Sequence, residues 1–281
     1  MVFIMERKDS KIWEDGMFTI RDYVIVNSLE EAYELNQKKN NTILGGIAWL
    51  KMSERNIQTA IDLSKLGLNE IEEDEECFKI GCMCTLRQLE VNKALNSYFD
   101  GIISKSLIHI VGVQFRNCAT IGGSIYSRFG FSDILTSLLS LDTYVELYKG
   151  GVIPLSQFKD MPYDNDILVR IIIKKDNRKA SYLTHRNSAT DIPTLAVAVS
   201  KNDDKWNIVI GARPQKAMLV ENTSSLSENP TEDEVKELTN YITNNIKFHS
   251  NMRGSEEYRK ILAKVLVTRA IGEIVGGSYG N

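Results

Sequence analysis

The sequence is poor in the residues that build metal sites and disulfide frameworks, since its 281 residues include only 4 cysteines and 3 histidines. Disulfide frameworks are typical of small secreted domains, not of a long chain of ordinary composition. The segment CFKIGCMC, residues 77–84, lacks the paired Cys-x-x-Cys spacing of closed zinc sites, and the histidines lie far away in sequence. We therefore expect reduced structural thiols, mostly buried, and no metal site.

Neither a strong excess of charge nor a long hydrophobic run is present. Lys and Arg total 34 and Asp and Glu total 37, a net charge of −3, which is too near neutral to indicate a nucleic acid partner. The apolar stretch before Glu6 is far shorter than that of a signal peptide. No other apolar run approaches the roughly 20 residues of a membrane span. We expect a cytoplasmic protein without a membrane span.

Two common nucleotide-binding motifs are also absent. The sequence contains no Gly-x-Gly-x-x-Gly between a strand and a helix, and no Gly-x-x-x-x-Gly-Lys-Ser/Thr loop. A dinucleotide, if one binds, must be held by a different fold.

Hydrophobic periodicity predicts a strand, a helix and a second strand in the first 50 residues, with the helix capped at Ser28. The segments TAIDLS and FKIGCMCT predict strands, and Thr85 with Gln88 predicts a capped helix that continues to Phe99. Apolar periodicity predicts another helix from about Ser132.

From Thr143 onward, β-branched and aromatic residues alternate in short runs, which predicts a second sheet. Two helices close the chain. The first begins with a capping box at Thr231 and Glu234, and the second runs from about Ser255. Its predicted apolar stripe consists of Tyr258, Ile261, Leu262, Val265, Leu266 and Ile271.

Two glycine pairs are the informative local features, LGG at residues 44–46 and TIGG at residues 120–123. Adjacent glycines let backbone amides converge on an anion without a Cβ in the way, which is one way to hold a diphosphate. Thr120 and Ser124 add hydroxyl groups, and the helix beginning at Ser132 could point its positive end to the same place. A glycine pair after a strand is more often a simple turn, so neither pair alone names a cofactor.

Five longer segments share a resemblance to one family. The sequence resembles the FAD-binding, or medium, subunits of molybdenum hydroxylases of the xanthine dehydrogenase and carbon monoxide dehydrogenase family. The similarity runs in family order from about Met17 to Ile271. The segments that carry it are ILGGIAWLKM, IGCMCTLRQLE, FRNCATIGGSI followed by SD, GVIPLSQF and RGSEEYRKILAKVLVTRAI.

This resemblance implies an α+β chain in which a two-lobed FAD-binding domain of the vanillyl-alcohol oxidase (PCMH) type precedes a C-terminal domain of antiparallel sheet plus helices. The implied divisions are an N-terminal extension over residues 1–16, the FAD-binding domain over 17–176 and the C-terminal domain over 177–281. The two lobes would cover about residues 17–65 and 66–176.

The same resemblance implies the residues that bind FAD. Two glycine loops would hold the diphosphate, an aspartate would contact the nucleotide, and an apolar residue would pack near the flavin. A segment at residues 181–193 resembles a loop near the flavin, where Tyr182, Arg186 and Asp191 are candidates, Arg186 as a partner of Asp191. The implied binding residues are Leu44, Gly45, Gly46, Ile47, Ala48, Thr120, Ile121, Gly122, Gly123, Ser124, Asp133 and Leu168.

Three departures from the family pattern concern this site. Ile47, Ala48 and Trp49 follow the first glycine pair where the family has a polar pair, and Ser124 stands where many relatives carry Asn. The segment 128–130, Arg-Phe-Gly, replaces the common Ala-Ser-Pro. The resemblance therefore implies FAD binding with fewer side-chain hydrogen bonds.

No constellation of catalytic acid, base or nucleophile is present, and the implied function needs none. The family resemblance implies an FAD-carrying electron-transfer subunit that accepts electrons from iron–sulfur clusters of a partner subunit and reduces NAD or another acceptor. The cysteine spacing cannot hold a plant-type cluster, so separate iron–sulfur and molybdenum-cofactor subunits are expected, and the chain alone should not act on an organic substrate. Two alternatives stay open, a stand-alone flavin oxidase or reductase of the same fold and a non-enzymatic assembly subunit whose flavin site has decayed.

Overall fold

The structure is a computed structural model that describes residues 18–203, 205–221 and 223–277. The expected N-terminal extension, residues 1–16, lies outside the described residues. Among the helices of the described ranges, none combines the length and apolar character that crossing a bilayer requires.

The first sheet is small and parallel, with strand order β1-β3-β2. The Ser28 hydroxyl accepts a hydrogen bond from the Glu31 amide and caps α1, which confirms the predicted helix start. Because β1 and β2 both run parallel to β3, the carboxyl ends of all three strands lie at one edge, and the chain leaves β2 there at Gly45. The elements are β1 (Thr19–Ile25), α1 (Leu29–Asn36), β2 (Thr42–Leu44) and β3 (Asn56–Asp62).

The second sheet is antiparallel with strand order β4-β5-β8-β6-β7. The sequence predicted that all strands after Thr143 form one separate sheet. This prediction is wrong, because the first three of these strands, β6 to β8, belong to the same sheet as β4 and β5. Ile171 lies between Ile80 and Val145 in register, and all three side chains are fully buried on one face. The strands are β4 (Ile71–Glu73), β5 (Cys77–Gly81), β6 (Thr143–Leu147), β7 (Gly151–Pro154) and β8 (Leu168–Lys174).

Short helices connect these strands. The Thr85–Gln88 capping box forms as predicted, but the helix that follows is broken in two because Asn92 has extended backbone and its side chain caps a new helix. TIGG is also not a loop, since Ile121 begins a helix. The helices are α2 (Leu86–Val91), α3 (Lys93–Tyr98), α4 (Ile102–Leu107), α5 (Val113–Cys118), α6 (Ile121–Tyr126), α7 (Asp133–Ser140) and α8 (Leu155–Phe158).

The third sheet is antiparallel with strand order β12-β11-β10-β9 and is covered on both faces. Along β10, Leu195 and Val197 pack in the core with α9 and α10, whereas Ala196 and Ala198 pack in the core that contains α7. A Cβ on Gly211 would lie 2.1 Å from the Thr136 hydroxyl, so α7 approaches this sheet closely. The elements are β9 (Lys179–His185), β10 (Leu195–Asn202), β11 (Lys205–Gly211), β12 (Met218–Leu219), α9 (Glu232–Asn245) and α10 (Glu256–Val275).

The predicted apolar stripe of α10 is partly wrong. Tyr258, Ile261 and Val265 are 39%, 60% and 38% exposed, so they do not face the core. The buried face of α10 packs on α9 and β10. It includes alanines that the predicted stripe left out. That face consists of Leu262, Ala263, Leu266, Val267, Ala270, Ile271 and Ile274.

The cysteines are all free thiols, and only Cys118 is exposed. Strand β5 ends at Gly81, so Cys82 and Cys84 lie in the following turn rather than in the predicted strand. Burial raises the pKa of Cys82 to about 12 and that of Cys84 to about 11. Both groups are therefore protonated at neutral pH.

Arg259 is a fully buried cation without a carboxylate partner among the described residues. Its guanidinium donates to the carbonyl oxygens of Thr194 at 2.8 Å, His249 at 2.7 Å and Gly254, and to the Asn251 side chain at 2.6 Å. Burial lowers the pKa of Arg259. This side chain therefore ties the loop between α9 and α10 to the start of β10.

The variant Arg259→Met should be strongly destabilised, because it leaves the buried Thr194 carbonyl and the partly buried His249 carbonyl without this donor. We expect a loss of about 3–5 kcal/mol in the free energy of unfolding, measured by urea denaturation. The matched control is Arg269→Met, which removes an exposed arginine from the same helix and should cost less than about 0.5 kcal/mol. Equal losses in the two variants would contradict the bracing role of Arg259.

Candidate functional site

An open cleft of about 280 Å³ lies where the connecting segments of the three sheets meet. Its walls come from β2 and the loop after it, the connection between α4 and α5, helix α6, the start of α7 and the loop between β9 and β10. The volume is near the lower limit for small-molecule sites. Segments far apart in the sequence therefore build one candidate site.

Gly46 brings the loop after β2 into direct contact with the end of α5. A Cβ at this position would lie 1.7 Å from the Cys118 carbonyl oxygen and 2.8 Å from the Ala119 Cα, which no side chain could tolerate. Only glycine permits this approach of two backbones. The two glycine-containing stretches therefore meet.

The other three glycines of the two stretches have different neighbours. A Cβ on Gly45 would lie 2.8 Å from the Thr120 hydroxyl and 3.8 Å from the Gly123 Cα, so the space between the stretches is narrow. A Cβ on Gly122 would collide with the Cys82 carbonyl oxygen at 2.6 Å, which makes this glycine a packing requirement. Gly123 is exposed and lines the cleft, with only the Thr120 hydroxyl near its Cβ position.

The first stretch offers free backbone donors. Within the described residues, the amides of Gly45, Gly46, Ile47 and Ala48 donate to no protein group. These four residues also line the cleft. Consecutive unpaired amides beside a space without side chains are suited to bind an anion.

In the second stretch the amides of residues 121–124 are not free, which corrects the expectation that bare amides come from both stretches. The amides of residues 121–124 are consumed by the start of α6 and by its packing on the turn after β5. Their acceptors are the Cys84 carbonyl at 2.8 Å, the Cys82 carbonyl at 2.9 Å, the Thr120 hydroxyl at 3.2 Å and the Thr120 carbonyl at 3.1 Å. This stretch contributes the space beside Gly123 and the Thr120 hydroxyl rather than a run of bare amides.

Backbone strain also concentrates at the cleft. Ile47 has φ of 47° and Val111 has φ of 50°, and both line the cleft. β-Branched residues rarely adopt this left-handed conformation, because it crowds the Cβ substituents against the backbone. Residues held in such conformations cluster at functional sites.

A buried polar group forms another wall. Asp133 is 5% exposed, and its Oδ1 accepts hydrogen bonds from the Tyr182 hydroxyl and from Nη2 of Arg186. Ser132, not Asp133, caps α7, since its hydroxyl accepts from the Leu135 amide. The Asp133 carboxylate therefore takes no part in capping and forms part of the wall of the cleft.

Arg186 pairs differently from the expectation that placed it with the Asp191 side chain. Its carboxylate partner is Asp133, while Nη1 donates to the carbonyl oxygen of Asp191. The Asp191 carboxylate instead pairs with Arg253 at 3.0 Å. Nε of Arg186 is buried without a partner, an orphan donor that native structures normally satisfy with water or ligand.

Burial dominates the electrostatics of this wall. It raises the pKa of Asp133, although the positive charge of Arg186 opposes the shift. Burial and the neighbouring Asp133 also raise the pKa of Tyr182 well above its usual value. Tyr182 therefore stays protonated and keeps donating to Asp133.

Comparison with known proteins accounts for this arrangement. The sequence profile described as "FAD binding domain in molybdopterin dehydrogenase" matches residues 16–175, and that of the "CO dehydrogenase flavoprotein C-terminal domain" matches residues 180–274. The chain belongs to this family of flavoprotein subunits. Its cofactor is accordingly FAD, and the free amides, the glycine-lined space and the orphan Arg186 donor fit such a ligand.

Individual relatives agree with the family. The chain is 26% identical to the glyceraldehyde dehydrogenase medium chain of Sulfolobus acidocaldarius, over 90% of this chain and 97% of the relative. It is 24% identical to the uncharacterized protein YgfM of Escherichia coli K12, over 88% and 94%. A carbon monoxide dehydrogenase structure from Hydrogenophaga pseudoflava superposes with a TM-score of 0.82 at 20% identity, over 91% and 97%. The fold is thus that of a medium subunit, with the expected α+β architecture.

Some candidates from the sequence lie outside the cleft of this family member. Leu168 begins β8 opposite Leu147 and is buried in the core, away from the residues that line the cleft. Leu44, Ile121 and Gly122 adjoin the lining without belonging to it. The cleft is also lined by residues that the sequence analysis did not assign to the site. Trp49 and Phe129 were noted there only as departures from the family pattern. The additional lining residues include His109, Val111, Trp49, Phe129 and Phe131.

Arg116 lies just before the TIGG segment and holds the end of α5 against α2. It makes a two-pronged ion pair with Glu90 of α2, at 2.7 and 3.1 Å, and donates to the Ile110 carbonyl at 3.0 Å. Both charged side chains are buried. Burial alone would raise the pKa of Glu90, but hydrogen bonds and charges of Arg116 and Arg87 outweigh it and lower the pKa.

The Glu90–Arg116 pair should make stability depend on pH in the acid range. Because the folded pKa of Glu90 is depressed, the stabilisation is complete above its unfolded value of about 4.3 and is lost as pH falls through the lower folded value. We expect Glu90→Gln to cost about 1–3 kcal/mol in urea denaturation at pH 7, with a smaller difference from wild type below about pH 4.

The exposed Glu75 supplies the control for this measurement. Glu75→Gln should stay within about 0.5 kcal/mol of wild type. A Glu90→Gln difference that is constant from pH 3 to pH 7 would contradict the ion-pair assignment.

Proposed function

We propose that this chain is the FAD-carrying electron-transfer subunit of a molybdenum hydroxylase. It receives electrons from iron–sulfur clusters of a partner subunit and passes them to NAD or another acceptor. By itself it does not act on an organic substrate. The observation that carries the proposal is the run of free amides at residues 45–48, which lines the cleft beside Gly123 and the Thr120 hydroxyl.

We assign the FAD diphosphate to the part of the cleft that these amides line, beside the contact between Gly45 and Gly123. In the proposed arrangement, the amides of the first stretch bind the phosphate oxygens, as unpaired amides do in other anion sites. The Thr120 hydroxyl accepts from the Gly123 amide and keeps its own proton available for a phosphate oxygen. The Ser124 hydroxyl already donates to the Thr120 carbonyl at 2.9 Å, so its role is to brace α6.

The polar wall suits the nucleotide. Asp133 offers carboxylate oxygen as an acceptor, and Nε of Arg186 offers a buried donor. When bound, the flavin ring supplies one-electron and two-electron redox chemistry, which amino acid side chains lack. The protein then orients the cofactor and sets its electrostatic surroundings. This division agrees with the absence of an acid, base and nucleophile constellation in the sequence.

The cysteines of this chain support the proposal that the iron–sulfur clusters belong to partner subunits. A plant-type cluster needs four thiolates at a characteristic spacing, but the four cysteines of this chain lack that spacing, and three are buried while Cys118 is exposed. The proposal therefore assigns the clusters to another chain. Two relatives are named as a medium chain and as a subunit of a dehydrogenase complex, which supports the same conclusion.

The alternative functions make different predictions for purified protein. A decayed flavin site would give a colourless chain that binds no added FAD. A stand-alone oxidase or reductase would turn over an organic substrate without partners. Co-purification from the native host, with flavin, iron and molybdenum analysis of the complex, tests the proposed subunit role, and recovery of the chain without any iron-containing partner would contradict it.

Substitution of Gly123 by Asp should abolish FAD retention. A carboxylate at this position would face the diphosphate at short range, and at about 4 Å with an effective dielectric constant of about 20 the repulsion is about 4 kcal/mol per charge pair. The residue lies in the first turn of α6, where a carboxylate favours the helix, so the chain should stay folded. Bound flavin per chain is measured by absorbance after gel filtration.

Gly123→Asn is the matched control, because it has the same shape without the charge. It should retain clearly more FAD than Gly123→Asp. Equal flavin content in the wild type and in Gly123→Asp would remove the diphosphate assignment, while equal loss in both variants would show that the obstacle is steric.

A further inference from the structure

An aromatic cluster of Trp49, Phe129 and Phe131 lies on the wall of the cleft. The rings of Phe129 and Phe131 stack with centroids 5.1 Å apart and planes 11° apart. Trp49 meets them at 5.9 and 5.8 Å in tilted geometry, and it is 46% exposed. These arrangements are the ones that aromatic pairs prefer, and they leave part of the indole surface open to the cleft.

Two separate chain segments build the cluster, and both are departures from the family pattern. Trp49 belongs to the stretch with the free amides and follows Ala48 directly. Phe129 belongs to the segment that replaces Ala-Ser-Pro. The structure thus brings both departures into contact at the place where the proposed diphosphate site opens into the cleft.

The segment that carries the phenylalanines is held rigidly. Arg128 is buried, has φ of 48° and places its guanidinium 4.0 Å from the Phe158 ring centroid and 4.6 Å from that of Tyr163. Gly130 packs so closely on Gln215 that a Cβ would lie 2.8 Å from its carbonyl carbon. Such fixed surroundings preorganise a binding surface and lower the entropic cost of using it.

We propose that the Trp49–Phe129–Phe131 cluster is a stacking surface for a planar heteroaromatic ring of the dinucleotide. The inference rests on the proposed function. A half-exposed indole beside free amides offers an open ring surface, and it lies next to the site assigned to the phosphates that carry both ring systems of FAD. Stacking would replace the binding energy of the polar side chains that this chain lacks after Gly46.

Equilibrium dialysis of the full chain, with any co-purifying partner subunits, against FAD, FMN and ADP tests the proposal. Trp49→Leu keeps an apolar side chain but removes the ring, and should raise the Kd for FAD by about 5- to 150-fold, the range expected for losing one stacked base. Trp49→Phe keeps a ring and should stay within about threefold of wild type. FMN and ADP show which ring stacks, because only the fragment that carries it should lose affinity in Trp49→Leu.

Met52→Ala is the matched control, since Met52 lies three residues further on, is 74% exposed and does not line the cleft. It should bind FAD as wild type does. Urea denaturation verifies that each variant is folded, and Phe131→Leu provides a second test if Trp49→Leu is not.

The outcomes separate this inference from the proposed function. If wild type binds FAD and Trp49→Leu binds it equally well, the stacking surface is wrong and the function stands. If a folded Trp49→Phe loses as much affinity as Trp49→Leu, local packing rather than stacking explains the loss, and the inference also fails. A wild-type protein that binds no FAD with its partners would overturn the proposed function itself.

Discussion

The backbone contact between Gly46 and the end of α5 is the constraint on which the candidate site depends. With a Cβ position 1.7 Å from the Cys118 carbonyl oxygen, the loop after β2 lies directly on the backbone that leads into α6. The next residue, Ile47, then takes a left-handed conformation that a β-branched side chain normally avoids. This geometry leaves the amides of the loop unpaired. The contact thus brings the two stretches together and leaves free donors at the edge of the cleft.

The cleft also depends on the C-terminal sheet, because the loop after β9 supplies Arg186. A buried ion pair is costly unless further hydrogen bonds satisfy both partners. Here Tyr182 adds a donor to Asp133, and the Asp191 carbonyl accepts from Arg186. The pair therefore fixes the start of α7 against the third sheet. Both segments matched by the family profiles consequently contribute to a single wall.

Local features were predictable from the sequence, and contacts between distant segments were not. The capping boxes at Thr85 and Thr231 form as expected, because hydrogen bonds within one turn determine them. The glycine turn after β2 is confirmed for a similar reason. By contrast, the pairing of β8 with β5 depends on partners about 90 residues apart, and periodicity does not specify partners.

Contacts between distant segments were equally unpredictable within the candidate site. The TIGG segment suggested two equivalent glycines with free amides, but only the structure shows that Gly122 packs on Cys82 and that α6 consumes the donors. The roles of Leu44–Ala48, Thr120–Ser124, Asp133 and Leu168 in FAD binding stay proposals, of which Leu168 has the least support because its strand position buries it in the core.

The two departures from the family pattern must be considered together. An apolar Ile-Ala-Trp after the glycine pair, taken alone, indicates a site that has lost its polar contacts. Phe129 and Phe131 change that interpretation, since they cover part of an indole that would otherwise face water. A decaying site would have no reason to keep unpaired amides, a glycine-lined gap and a buried orphan donor in the same cleft. The proposed stacking surface accounts for the aromatic residues that stand beside these polar features.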